Sequence, residues 1–488
     1  MANLAGTSSS GLGEAFKGRR ISVIGAARSG VATARALTLL QAQVLLSDSA
    51  EEERIGAEQL AEIAATGARF VAGAGVEEAL PTDTDLVVTS PGVPRSATVL
   101  REAVRRGIPI WSEVELAYRL AEAPLIAVTG TNGKTTTTLL IAAMLEQSGL
   151  SPLVAGNISA DEIKRTLVDA AFSTSAFAPV AERAAGSPIL VAEISSFQLE
   201  WVERFAPRVA VLTNITPDHL NRYDGFDDYA QTKARLFAAQ GPDDWAIVNY
   251  DDPTTRRIGE SGLSGRRLWF TTQKRPDGNG ALAWLSEDRV QVRLQGNGKP
   301  DFILARREFS SALSGRHSVE NVLAAAAAAL AIGAESEAIA QAVRTFPGVA
   351  HRMEFVRDVV GVRYINNSMC TNVAAAVSSL QSLDRPGVII MGGADKGLDF
   401  APLVPALKTH ARQVLLIGAA SEKMERVLRA GGYDVISRAD TLEEAVLAAS
   451  VIARRFETVL LCPACASFDM FRDFEERGAA FRRAVHTL

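Results

Sequence analysis

The chain has 488 residues, 47% of them hydrophobic and 22% charged, which is an ordinary globular composition but too long for a single core, so about two to four domains are expected. A net charge of −5 and a pI of about 5.8 exclude a nucleic-acid binder that relies on a broadly basic surface, yet leave room for a local cationic pocket. Residues 1–20 hold no apolar core of signal-peptide length and no uninterrupted apolar run is long enough to span a bilayer, so a cytoplasmic protein without membrane or nucleic-acid partners is expected.

Residues 21–25 read as a strand entering a glycine turn, residues 31–40 as a helix, and residues 43–47 as a second strand ending at Asp48. Residues 85–89 form a further strand, broken sharply by Ser90-Pro91-Gly92-Val93-Pro94. Residues 1–110 are therefore expected to form a Rossmann-like α/β domain. Its turn, Gly25-Ala26-Ala27-Arg28-Ser29-Gly30, lacks the middle glycine that lets backbone approach a dinucleotide pyrophosphate closely. Asp48 stands where an acid can bind a ribose or base edge, although a plain α/β turn fits equally well.

The most informative stretch follows an apolar run at 125–128. Thr129-Gly130-Thr131-Asn132-Gly133-Lys134-Thr135-Thr136-Thr137 lies between that strand and a helical pattern at 139–145. Such a turn aims backbone N–H groups at one point, and the helix N-terminus adds partial positive charge. Lysine can reach outer phosphates and the next hydroxyl can hold a hydrated magnesium. The full phosphate-loop pattern has a glycine where Thr129 stands, so this is a compact variant; the plainer alternative is a glycine turn with a surface lysine. Residues 111–348 are expected to form this central domain, with strands at 189–192 and 209–212, a β-rich stretch at 245–303 in a mixed sheet, and an Ala-rich helix at 319–332. Glu193 follows one strand and can offer magnesium a hard oxygen. Asp218-His219 follows the next, though imidazole matches magnesium poorly. Lys233 on its own reads as an ordinary helical lysine.

Residues 349–488 again alternate strands (388–391, 414–417, 458–461) with helical patterns, implying a parallel, Rossmann-like sheet. The three cysteines, Cys370, Cys462 and Cys465, make no disulfide framework. Cys462-Pro463-Ala464-Cys465 has redox-motif spacing but too little chain after it for a thioredoxin-like domain, and no second Cys or His pair completes a zinc site.

Together these pieces resemble the ATP-dependent Mur ligases. The resemblance rests on Gly130 to Thr136, Glu193-Ile194-Ser195-Ser196-Phe197-Gln198-Leu199-Glu200, and Asn214-Ile215-Thr216-Pro217-Asp218-His219-Leu220-Asn221-Arg222-Tyr223. It extends to Gly315-Arg316-His317, His351-Arg352-Met353-Glu354, Gly392-Gly393-Ala394-Asp395-Lys396 and Pro463-Ala464-Cys465-Ala466-Ser467. It covers nearly the whole chain, and its most specific elements are similar to the glutamate-adding branch. It implies three α/β domains and amide ligation through an acyl phosphate, adding glutamate (the D enantiomer by default) to UDP-N-acetylmuramoyl-L-alanine for peptidoglycan. Ser29, Asp48, Ser49, Ser90 and Gly92 would hold the UDP part, and Asn157 and His219 the muramoyl part. Gly130, Thr131, Asn132, Gly133, Lys134, Thr135, Thr136 and Asn321 would bind ATP, with Arg352 at the γ-phosphate. Thr135, Glu193 and His219 would serve two magnesium ions, joined by Lys233 if carbamylated. Thr371, Lys396, Ser467 and Phe474 would bind glutamate. The implied catalytic set is Lys134, Glu193, His219, Lys233 and Arg352, and a monomer is the expected state.

Three features depart from the family pattern. Asn367-Ser368-Met369 replaces the usual Asp-Ser-Lys, which reads as a substituted ion pair; Ser318 replaces an asparagine; and an apparent insertion falls within 161–185. The first bears on the glutamate enantiomer and leaves L-glutamate open. A folylpolyglutamate-type ligase, an NAD-linked oxidoreductase and a non-catalytic homologue are the competing readings.

Overall fold

In a computed structural model the protein is described over residues 15–488 apart from 159–164, 274, 277–279, 296–297, 314–315, 384 and 396. The architecture is α/β, built on three sheets. The chain divides into two compact units, residues 1–309 with 316–345, and residues 310–315 with 346–488.

The first unit carries two sheets. One contains β1 (Arg20–Ile24), β2 (Gln43–Ser47), β3 (Arg69–Val71), β4 (Leu86–Thr89) and β5 (Ile110–Ser112), in the order β3-β2-β1-β4-β5, all parallel. The order reverses between β1 and β4, so the Gly25 turn and the Ser90 turn open a crevice at the carboxyl ends, where α/β sheets bind ligands.

The second sheet contains β6 (Leu125–Thr129), β7 (Ser151–Gly156), β8 (Pro188–Glu193), β9 (Val209–Leu212), β10 (Trp245–Asn249), β11 (Arg266–Thr271), β12 (Ala281–Ser286), β13 (Arg289–Arg293) and β14 (Phe302–Ala305). Its order is β14-β13-β12-β11-β10-β9-β6-β8-β7, parallel from β7 to β12 and antiparallel through β13 and β14, a mixed sheet as expected. Strand β6 is buried along its whole length, as a strand covered on both faces must be, and so reads as an unbroken apolar run. One cover is the helix Arg316–Ala331, whose Ala324 to Ala329 segment is wholly buried; small side chains let the helix lie close on the sheet. Register fixes the site: Val128 pairs with Glu193 and Thr129 with Leu212, so the phosphate loop, Glu193 and Asn214 leave the sheet at one rim.

The second unit holds β15 (Glu354–Val359), β16 (Val362–Asn366), β17 (Gly387–Gly392), β18 (Ala411–Ile417), β19 (Ile436–Arg438) and β20 (Thr458–Leu461), in the order β15-β16-β20-β17-β18-β19. Five strands are parallel; β15 is an antiparallel edge that the alternation of strands and helices did not announce, because β15 and β16 form a hairpin with no intervening helix. The apparent insertion is described from residue 165: it forms a helix, Leu167–Ser173, capped by the Thr166 hydroxyl, followed by a single 3-10 turn at Val180–Glu182.

Candidate active site

The glycine loop is shaped by its neighbours on β9. Gly130 (φ +145°) and Gly133 (φ +81°) both hold backbone that side-chain-bearing residues rarely adopt, and a Cβ on either would collide with Thr213 Oγ1 or Asn321 Oδ1. Thr131 N–H donates to the Asn214 carbonyl (2.9 Å) and Asn132 N–H to Asn214 Oδ1 (2.9 Å), while Thr213 Oγ1 donates to the Asn132 carbonyl (2.6 Å). Held this way, the loop leads into the helix Lys134–Gln147 with its first N–H groups at the rim. Lys134 Nζ donates to the Thr131 carbonyl (3.0 Å), folding back over the loop. Thr136 lies on the same first turn and is half-buried. Asn321, from the Ala-rich helix, accepts from Thr137 Oγ1 (3.3 Å) behind it.

Glu193 sits on this loop as the strand pairing requires. Its Oε2 accepts from Thr135 Oγ1 (2.6 Å) and its Oε1 from Asn157 Nδ2 (3.3 Å), all but the asparagine being buried. A hydroxyl and a carboxylate side by side offer two hard oxygens, a donor set that suits magnesium. Lys233 is buried behind them, its Nζ donating to the Gly130 carbonyl (2.8 Å) and lying 4.9 Å from the Tyr229 ring centre. Desolvation first, and then the positive charge of Lys134, hold its ammonium well below the usual lysine range, against the pull of Asp218 and Glu193. His219 is placed differently: it is exposed, has a left-handed backbone (φ +52°), lies 4.9 Å from the Phe197 ring and stands beside Asp218.

A cavity of about 700 Å³ adjoins this cluster within the first unit. Ser29, Asp48, Ser49, Ser90, Gly92 and Asn157 all line it, and Asn157 links it to Glu193. Asp48 also shapes the backbone around it. Its carboxylate accepts from Ala26 N–H (2.8 Å) and Ala50 N–H (2.9 Å), pinning the glycine turn. Arg28, Thr166 and Gln198 line the same space and were not singled out from the sequence. Gln198 lies inside the Glu193 to Glu200 motif, but the partner that orients it is far away in sequence. Its Nε2 donates to Glu113 Oε1 (2.9 Å) while its Oε1 accepts from Ser195 N–H (2.8 Å). Arg222 is a second such case: it forks onto Glu200 (2.8 Å from both Nε and Nη2), donates to the Val93 carbonyl (2.9 Å) and covers Phe197, tying the Ser90 to Pro94 turn to the rim beside His219.

In the second unit, Thr371 follows β16 and Ser467 and Phe474 follow β20, two strands that pair in parallel; Lys396 lies outside the described residues. Arg352 follows His351 on a turn where His351 (φ +59°) and Met353 (φ +45°) are both left-handed. Burial of His351 against Asn366 (Nδ2 to His351 Nδ1, 3.0 Å) and Glu354 (accepting His351 N–H, 2.8 Å) secures that turn. Asn367 makes two amide hydrogen bonds in the place read as a substituted ion pair. It is buried, its Oδ1 accepting from Met353 N–H (3.1 Å) and its Nδ2 donating to Ser379 Oγ (2.8 Å), so the amide ties the Arg352 turn to the next helix. The cysteines likewise form no disulfide: Cys462 Sγ lies 3.6 Å from Cys370 Sγ, and all three thiols are free and buried.

Comparison with known proteins gives this α/β ligase-like arrangement its class. Residues 19–112 match the profile of the Mur ligase MurD-like N-terminal domain, residues 128–329 the Mur ligase middle domain, and residues 351–465 the Mur ligase glutamate ligase domain. The chain belongs to the Mur ligase family. It is 42% identical to the UDP-N-acetylmuramoylalanine--D-glutamate ligase of Pelotomaculum thermopropionicum, over 97% of this chain and 98% of that one. Identity to the protein of the same name from Salinibacter ruber is 39%, over 96% and 98%. Among solved structures, the UDP-N-acetylmuramate-alanine ligase of Thermotoga maritima shares the fold (TM-score 0.55, 19% identity, 96% of this chain and 99% of that one). So does a pseudomurein peptide ligase type C from Methanothermus fervidus (TM-score 0.54, 18% identity, 96% and 99%).

Proposed function

We propose that the protein is an ATP-dependent ligase that joins D-glutamate to UDP-N-acetylmuramoyl-L-alanine in peptidoglycan precursor synthesis. The observation that carries this reading is near full-length identity of 36–42% to relatives that all bear the D-glutamate ligase name. The geometry agrees with it: a cavity large enough for a nucleotide sugar ends at Asn157, one hydrogen bond from the Glu193–Thr135 pair beside a phosphate loop. The substrate carboxylate would attack the γ-phosphate of ATP, releasing ADP and leaving an acyl phosphate; the glutamate amine would then displace phosphate and lose a proton to form the amide.

In this reading Gly130 to Thr136 and Asn321 hold ATP, and Lys134 and Arg352 neutralise the transferred phosphoryl group. Thr135 and Glu193 would hold magnesium, which would supply further charge neutralisation. Ser29, Asp48, Ser49, Ser90, Gly92 and Asn157 hold the UDP substrate, while His219 stands at the muramoyl end. Thr371, Lys396, Ser467 and Phe474 take glutamate. Residues 1–110, 111–348 and 349–488 divide these roles in order, in a cytoplasmic monomer whose described residues include no helix long and apolar enough to cross a membrane.

The test supplies ATP, magnesium and UDP-N-acetylmuramoyl-L-alanine with D- or L-glutamate in parallel, reading phosphate release and product mass. Product with the D enantiomer is expected; none with either refutes the ligase reading, and product with L alone moves the specificity. Lys134→Ala should abolish turnover and leave UDP-substrate binding intact; full activity would overturn the role given to the loop.

A further inference from the structure

The loops at the carboxyl ends of β16, β17 and β20 converge on one side chain that neither the motifs nor the reaction scheme uses. Arg477, on the first turn of the helix Phe474–His486, is 1% exposed. Its Nε donates to Ser368 Oγ (3.0 Å), its Nη2 to the Ser368 carbonyl (2.8 Å) and its Nη1 to the Cys465 carbonyl (3.1 Å). Ser368 Oγ passes the chain on, donating to the Phe474 carbonyl (2.7 Å). The fit is close: Gly393 (φ +136°) leaves no room for a Cβ, which would stand 3.1 Å from Nη1 and collide with the Ala466 carbonyl.

Two properties of this arrangement go beyond packing. First, the loops after β16 and β20 to which it hydrogen-bonds, and the helix on which it stands, carry Thr371, Ser467 and Phe474, the described residues assigned to glutamate. Second, its hydrogen-bond partners among the described residues are all neutral. A buried guanidinium is ordinarily matched by a carboxylate, because an unmatched buried charge is costly. Here Asp469 acts only through space, its own carboxylate accepting Ala419 N–H (2.8 Å). Glutamate brings two carboxylates and one ammonium to the pocket, a net negative charge that such a cation complements.

We propose that Arg477 is the positioning residue of the glutamate pocket: it locks the loops after β16 and β20 against its own helix in one arrangement and supplies the uncompensated positive charge that draws in a dicarboxylate. This rests on the ligase reading. A residue that only braces the fold would affect all substrates alike, whereas this role predicts an effect confined to glutamate.

Arg477→Lys keeps the charge but loses the planar fork, and Arg477→Met loses both. KM for glutamate, ATP and UDP-N-acetylmuramoyl-L-alanine would be measured with kcat, alongside thermal melting. In the lysine variant, KM for glutamate should rise roughly 10-fold, with the other two KM values within about twofold of wild type. In the methionine variant the rise should approach ~100-fold, the range expected for losing charge-assisted hydrogen bonds. A folded methionine variant with unchanged glutamate KM overturns the proposal, as does a rise shared by all three substrates. If the methionine variant does not fold, the lysine variant decides alone by the same criterion. Failure of the ligase reading is seen separately, as absence of product with the wild-type enzyme.

Discussion

Burial turns two ordinary side chains into chemically distinct ones. Lys233 reads as a helical surface lysine, yet it is 2% exposed and hydrogen-bonded to the loop carbonyl of Gly130. An amine whose charged form is disfavoured by burial can add carbon dioxide, exchanging a cation for an oxygen ligand beside Glu193. Lys233→Ala should therefore be inactive in product formation but partly restored by millimolar acetate or formate; undiminished activity, or loss that no small carboxylate relieves, would contradict this. Glu113 is the opposite case. It is buried, its Oε2 finds no hydrogen-bond partner among the described residues, and desolvation pushes its carboxyl up to about 7 against the lowering effect of Gln198. The folded state thus holds this proton more tightly than the unfolded chain. Its favourable contribution is complete below the ordinary value of 4.5 and is lost as pH rises to about 7. Glu113→Gln keeps an acceptor for Gln198 and removes the titration, so its stability relative to wild type should rise by ~1–3 kcal/mol between pH 5 and pH 8 in urea unfolding. An equal difference at both pH values would rule that out.

At the level of elements, strand ends and helix starts carry the candidate chemistry, and glycines set how closely they approach. Gly478 lies within the helix Phe474–His486, directly against His351; a Cβ there would run into His351 Nδ1. His351 in turn secures the turn bearing Arg352. Gly478→Ala improves local helix propensity, by up to about 1 kcal/mol in an open helix. The overpacking should outweigh that gain, with a net loss of about 1–2 kcal/mol in chemical denaturation and a lowered kcat for the ligase reaction. A variant more stable than wild type would show that the helix, not the His351 contact, governs the position. The same logic explains why the loop before Lys134 works without the early glycine: Thr129 belongs to β6 as a buried strand residue, its hydroxyl donating to the Ile194 carbonyl (2.7 Å), and the turn begins only at Gly130.

For the molecule as a whole, the division into two units would separate the proposed binding roles. The cavity proposed for the UDP substrate and the phosphate loop belong to the first, and Thr371, Ser467, Phe474 and Arg352 to the second. A ligand stabilises the unit that binds it, by about 2.7 kcal/mol at a hundred times its Kd. Calorimetry should therefore show two transitions, with UDP-N-acetylmuramoyl-L-alanine raising only one and leaving the other in place. A common shift of both would mean that the units unfold as one, and no shift at all would remove the substrate from the cavity.

Local sequence determined much of this protein. Unbroken apolar runs such as residues 125–128 mark strands covered on both faces, and a glycine turn between strand and helix marks an anion site, because both signals arise from neighbours in the chain. Asp48 was legible for the same reason, as the residue that ends a strand, whereas Ser29, Ser90 and Asn157 came only from the resemblance to the family; all four line one cavity. What only the tertiary structure decided are the groups whose character comes from distant partners. Glu113 needs Gln198, Arg222 needs Val93 and Glu200, Asn367 needs Met353 and Ser379, and Arg477 needs Ser368 and Cys465. Desolvation and hydrogen bonding act through space, so a charged residue inside a motif and one on a surface helix look alike until the chain has folded around them.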